Sequence, residues 1–136
     1  MGGEDVPGEC SSDPQELLPL TPVALNILLA LADAERHGYG IMVEVRERTG
    51  GRVRLGPGTL YGAIKRLKEG GVIEESPGQR LDPGEAPDDE RRRYYRLSGF
   101  GGEVLAAEVE RLEGLVRAAR RKGAFPPAPK PSPEGA

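Results

Sequence analysis

The stretch LGPGTLYGAIKRLKEGGVIE, Leu55 to Glu74, decides the fold. Gly56 and Pro57 open it, a helical pattern follows, Gly70 and Gly71 stop it, and Val72 with Ile73 starts an extended run. At 3.6 residues per turn, Leu60, Ala63, Ile64 and Leu67 share one face, which must be buried. Gly58, Gly62 and Lys65 point the opposite way, flanked by Tyr61, Arg66 and Lys68. A glycine inside a helix costs on the order of 1 kcal/mol relative to alanine. On an exposed face it also removes bulk, so that the backbone can approach a large ligand. The N-terminus of a helix favours phosphate through its free N–H groups and its dipole. Thr59 and Tyr61 add hydroxyl donors there, and Lys65 and Arg66 can reach phosphates or guanine edges. A helix of this composition fits the major groove of DNA. The plainer alternative is a solvated amphipathic helix whose basic last turn suits the dipole.

Upstream, Thr21 is a good N-cap with Pro22 at the first helical position, and VALNILLALADAE is apolar on nearly every side. Such a helix must be covered all round, by its own domain or by a second subunit. Gly38 and Gly40 mark a turn, Ile41 to Thr49 reads as a second helix, and Gly50 and Gly51 end it. Downstream, Tyr94, Tyr95 and Leu97 read as the strand returning from Val72 and Ile73. Between them lies the polar tip SPGQRLDPGEAPDDERR. Ser98 caps a last helix from about Gly99 to Lys122.

The predicted class is mainly α with a small β-hairpin: a winged helix-turn-helix domain followed by a long C-terminal dimerisation helix. Residues 1–19 form an acidic segment expected to be disordered, 20–97 the DNA-binding domain, 98–123 the dimerisation helix and 124–136 a Pro-rich disordered tail.

The net charge of −3 over 136 residues argues by itself against a nucleic-acid partner, but the charge is uneven. No Lys or Arg precedes Arg36, whereas Glu4, Asp5, Glu9, Asp13 and Glu16 are acidic. The middle of the chain is therefore basic, and domain-level charge governs partner choice. Arg91, Arg92, Arg93 and Arg96 make a second basic group, suited to holding phosphates, beside the acidic Asp88, Asp89 and Glu90.

In the last helix, Leu105, Val109, Leu112, Val116 and Ala119 are spaced 4, 3, 4, 3, a heptad seam that Leu115 widens. The seam either pairs two copies or covers the protein's own core. A small domain with an all-round apolar first helix favours the pair, with Leu25 and Leu28 of that helix joining Leu105, Val109, Leu112 and Val116 in the interface.

With LGPGTLYGAIKRLKEGGVIE, the motifs HGYGI (His37 to Ile41) and RRYYRLSGFG (Arg92 to Gly101), the chain from about Leu20 to Lys122 resembles the PadR family of bacterial transcriptional regulators. The resemblance implies a dimeric winged-helix repressor that binds double-stranded DNA at a palindromic operator and answers to a small aromatic or drug-like effector; the expected cytoplasmic location follows from the single thiol. The resemblance also implies that Thr59, Tyr61, Gly62, Lys65 and Arg66 face the groove and that Arg92 and Arg93 touch the backbone from the wing. The hairpin tip here is longer and more acidic than the family pattern.

Other chemistries find little support. One histidine, His37, and one distant cysteine, Cys10, cannot assemble a zinc site, and no catalytic residue, metal or other cofactor is expected. His37 is expected to hydrogen-bond locally in a turn, and Cys10 to be an incidental thiol. The glycine-rich stretch lacks the Gly-Lys-Ser/Thr ending of a P-loop. No apolar run approaches the ~20 residues of a membrane span, and the N-terminus does not read as a secretory signal. The competing function is a winged-helix dimer that binds another protein rather than specific DNA, using its acidic and Pro-rich segments.

Overall fold

The computed structural model describes residues 13–76 and 93–125. Most of the acidic N-terminal segment with Cys10, the hairpin tip with Arg91 and Arg92, and most of the Pro-rich tail lie outside the described residues.

Helix α1 spans Pro22–Ala30, with the Thr21 hydroxyl accepting from the Ala24 N–H at 3.1 Å. The apolar run is expected to stay helical to about Glu35, but the helix stops at Ala30. The Arg36 guanidinium takes the Ala30 carbonyl at 2.7 Å, and the chain turns to lay Arg36–His37 down as a two-residue strand, β1. Helix α2, Gly38–Arg48, starts three residues earlier than its apolar pattern suggests. The His37 ring supplies the cap, its Nδ1 accepting from the Gly40 N–H at 2.9 Å. At its far end Thr49 takes over: its hydroxyl donates to the Val45 carbonyl at 2.8 Å and accepts from the Val53 N–H at 3.0 Å.

Helix α3 is Pro57–Glu69. It ends in a Schellman turn: Val72 N–H donates to the Leu67 carbonyl at 2.9 Å and Gly71 N–H to Lys68 at 3.0 Å. Gly71 stands at φ 76°, which glycine adopts without strain. The turn delivers Ile73–Glu75 as β2, which pairs antiparallel with β3, Tyr94–Leu97. Strand β1 pairs with the other edge of β3, so the sheet order is β1-β3-β2 and the expected hairpin is a three-stranded sheet. Two residues without periodicity leave β1 invisible in the sequence.

Helix α4, Gly99–Arg121, is capped by Ser98, whose hydroxyl accepts from the Gly101 N–H at 2.9 Å. The same hydroxyl lies 3.0 Å from the Val72 carbonyl, and a Cβ on Gly101 would run into that carbonyl. The serine and glycine of the SGFG motif thus dock α4 under the start of the wing.

The core gathers Ile27, Leu28, Ile41, Val45, Leu60, Ile64, Ile73, Tyr95 and Val104 from the four helices and from β2 and β3. Residues 13–18 depart from the expected disorder. Asp13 caps a 3-10 turn, Pro14–Leu17, that packs on α4, and Leu18 and Leu20 seat against the core. Glu108 fastens this strap, its carboxylate accepting from the Leu20 N–H at 3.2 Å.

Candidate nucleic-acid interface

Helix α3 buries Leu60, Ala63 and Ile64 and seats Leu67 against the core, leaving Pro57, Gly58, Thr59, Lys65 and Arg66 exposed and Gly62 half-exposed. Among the described residues no side chain caps its N-terminus at Gly56, so the Gly58 and Thr59 N–H groups are available to a ligand. A Cβ on Gly58 would meet nothing within 4 Å, and one on Gly62 only the tip of Arg66 at 3.7 Å. The glycines therefore do not serve packing within the protomer. Lys65 and Arg66 have no carboxylate partner among the described residues.

Tyr61 departs from expectation. Its ring is half-buried against the core, and its hydroxyl lies where a Cβ of Gly38 would sit. It locks α3 to the start of α2 instead of standing free beside Lys65, which also explains why HGYGI needs a glycine at its second position.

The wing root departs as well. Glu75 takes Lys68 at 2.6 Å and Arg93 at 3.2 Å. Arg96 sits directly across from Glu74 and pairs with it at 2.8 Å, with Glu35 at 3.8 Å. Arg93, expected to hold phosphate, is thus engaged by a carboxylate of its own sheet. The hydrogen bond from Lys68, aided by the charges of Lys68 and Arg93 and opposed by desolvation, holds the Glu75 carboxyl below the usual carboxylate range. The sequence places acidic neutralisation in the hairpin tip, but Glu74 and Glu75 bring it to the wing's base.

The outer face of α4 divides the expected dimer set. Leu28 is fully buried in the protomer's own core and Leu105 is 9% exposed, so neither offers surface to a second copy. Helix α1 packs against α2, α3 and α4 of its own protomer, which bury Ile27, Leu28 and Ala30. Leu25 and Leu112 are half-buried, while Val109, Leu115 and Val116 are 39%, 56% and 50% exposed. Leu115, which widens the seam, is thus more exposed than Val109 or Val116.

Glu108 reads in the sequence as one more helix charge, yet it is 1% exposed. It falls four residues after Val104 and three after Leu105, on the inward face, which its spacing signals. Arg111 grips it at 2.7 and 3.0 Å. That bond, against desolvation and with help from the Leu20 N–H, keeps its carboxyl low. Among the described residues no group of three His, Cys, Asp or Glu can hold a metal, and no helix is long and apolar enough to cross a membrane.

Residues 27–107 match the model of the transcriptional regulator PadR-like family. The chain belongs to the PadR family. Among curated relatives of this PadR-like chain, the transcriptional regulator Rv3488 of Mycobacterium tuberculosis is 38% identical over 95 residues, covering 70% of this chain and 79% of that one. A PadR family transcription regulator from hypervirulent Clostridium difficile superposes with a TM-score of 0.59 at 25% identity, covering 73% of this chain and 95% of that one. Bacillus subtilis PadR, solved in complex with operator DNA, shares the fold with a TM-score of 0.53 at 20% identity over 79% of this chain and 50% of that one. The PadR-like chain is accordingly a transcriptional regulator with a winged-helix fold, and not an enzyme.

Proposed function

We propose that this PadR-like regulator binds double-stranded operator DNA as a homodimer, with α3 in the major groove, and represses the genes it controls. The observation that carries the reading is the outer face of α3: bare at Gly58 and Gly62, uncapped at its N-terminus, and carrying Lys65 and Arg66 without carboxylate partners among the described residues. The operator complex of Bacillus subtilis PadR supports the same partner class.

Pairing rests on α4. Fully burying a Val or Leu side chain is worth ~1.5–3 kcal/mol, and Val116 still exposes half its surface. A two-fold pair would set two α3 helices about one DNA turn apart and favour a palindromic site. Release by a small aromatic or drug-like effector completes the reading, on family grounds alone.

Gel-shift titration against the DNA upstream of the regulator's own gene tests it. A specific shift at moderate salt is expected, and its absence counts against the reading. A pull-down that returns one stoichiometric protein and no DNA would favour the interaction-module alternative.

A further inference from the structure

Building on the reading of α3 as the groove helix, we propose that Glu75 determines specificity: its carboxylate stands in for a DNA phosphate between Lys68 and Arg93, withholding both cations from DNA of arbitrary sequence. Lys68 lies three residues beyond Lys65, on the neighbouring turn and the same side of α3. Arg93 leads into β3. The two cations thus come from different elements, and one atom, Glu75 Oε2, accepts from both, at 2.6 and 3.2 Å. All three side chains are 31–41% exposed, open to an exchange of partners at the surface.

The energetics suit a placeholder. Ion pairs this exposed contribute ~0–1 kcal/mol each. A phosphate fixed by contacts of Lys65, Arg66 and the α3 N-terminus can displace the carboxylate cheaply. A phosphate on random DNA lacks those contacts and meets cations already neutralised. Sequence-independent affinity scales with the number of cations that release counterions, with a salt slope of about −0.9 per phosphate contact. Withholding Lys68 and Arg93 lowers that term and leaves the reading of bases untouched, which raises the ratio of specific to non-specific binding. Arg96 is held differently, by a directly opposite strand residue, Glu74.

The test compares fluorescence-anisotropy titrations of wild type, Glu75→Gln and Glu16→Gln with an operator duplex and a random-sequence duplex over a salt series. Glu16 is an exposed carboxylate of the N-terminal turn, so its variant matches the change in net charge. Glu75→Gln should raise random-duplex affinity on the order of ten-fold at physiological salt and steepen the slope by about one to two. The operator should gain less, and Glu16→Gln should match wild type. A random-duplex slope for Glu75→Gln equal to that of Glu16→Gln, or weaker binding to both duplexes at unchanged Tm, overturns the inference and leaves Glu75 a brace. Lys68→Gln is an independent check: random-duplex binding near wild type supports withholding, and a slope shallower by about one overturns it. If wild type binds neither duplex, the DNA-binding reading itself fails, and this inference with it.

Discussion

The outer face of α3 and the root of the wing carry the same residue types in opposite states. Lys65 and Arg66 are exposed and without carboxylate partners among the described residues. Arg93, Arg96 and Lys68 face Glu74, Glu75 and Glu35 at 2.6–3.8 Å. Counted along the sequence, the two regions look equally basic. Among the described residues, only the outer face of α3 keeps cations without a carboxylate partner. A run of arginines is therefore a poor guide to available charge when the partner strand supplies carboxylates in register.

The widest separation between the two regions should come from charge removal on α3. Lys65→Ala with Arg66→Ala should lower operator affinity about 100-fold or more, at ~1–3 kcal/mol per base contact, with Tm unchanged by circular dichroism. Wing loss at the same level under Arg96→Ala would erase the distinction. Next comes the joint that orients the wing. Gly101→Ala forces a methyl onto the Val72 carbonyl and should cost on the order of 1–3 kcal/mol in urea melts, whereas Gly102→Ala, in open space, should not destabilise.

Gly62→Ala sharpens the contrast in the other direction. It should stabilise α3 by up to ~1 kcal/mol while weakening operator binding, because the added methyl meets the DNA and not the fold. A variant that gains stability and keeps its affinity would show that the bare face does not approach DNA. Arg96→Ala should cost below ~1 kcal/mol in stability, with a small effect on binding.

Acid offers the gentlest probe. Because the Glu75 carboxyl sits low in the folded protein, its pair contributes stability above the ordinary carboxylate range and loses it as pH falls through the folded value. The stability gap between wild type and Glu75→Gln in urea melts should therefore be small at neutral pH and close at acid pH.

Much of this was legible in the sequence. Periodicity and end signals define α3 and α4 closely, since Pro57, Gly70, Gly71 and Ser98 act locally. The outward set Gly58, Gly62, Lys65 and Arg66 follows from the same 3.6-residue geometry. What escaped depends on contacts distant in the chain. β1 exists only because β3 pairs with it. Leu28 and Leu105 read as interface residues until their burial in the protomer's own core is seen. The neutralised wing needed the register Glu74 opposite Arg96, which no periodicity encodes. Tyr61 looked outward by spacing, but Gly38 leaves a hollow that its ring fills.

The most direct test is a crystal structure of the protein bound to the duplex isolated in the promoter titration. The expected result has Gly58 and Gly62 of both α3 helices against the floor of successive major grooves, with Lys65 and Arg66 on base edges or phosphates. DNA held through α4 or the wing alone, with the bare face of α3 open to solvent, would contradict it.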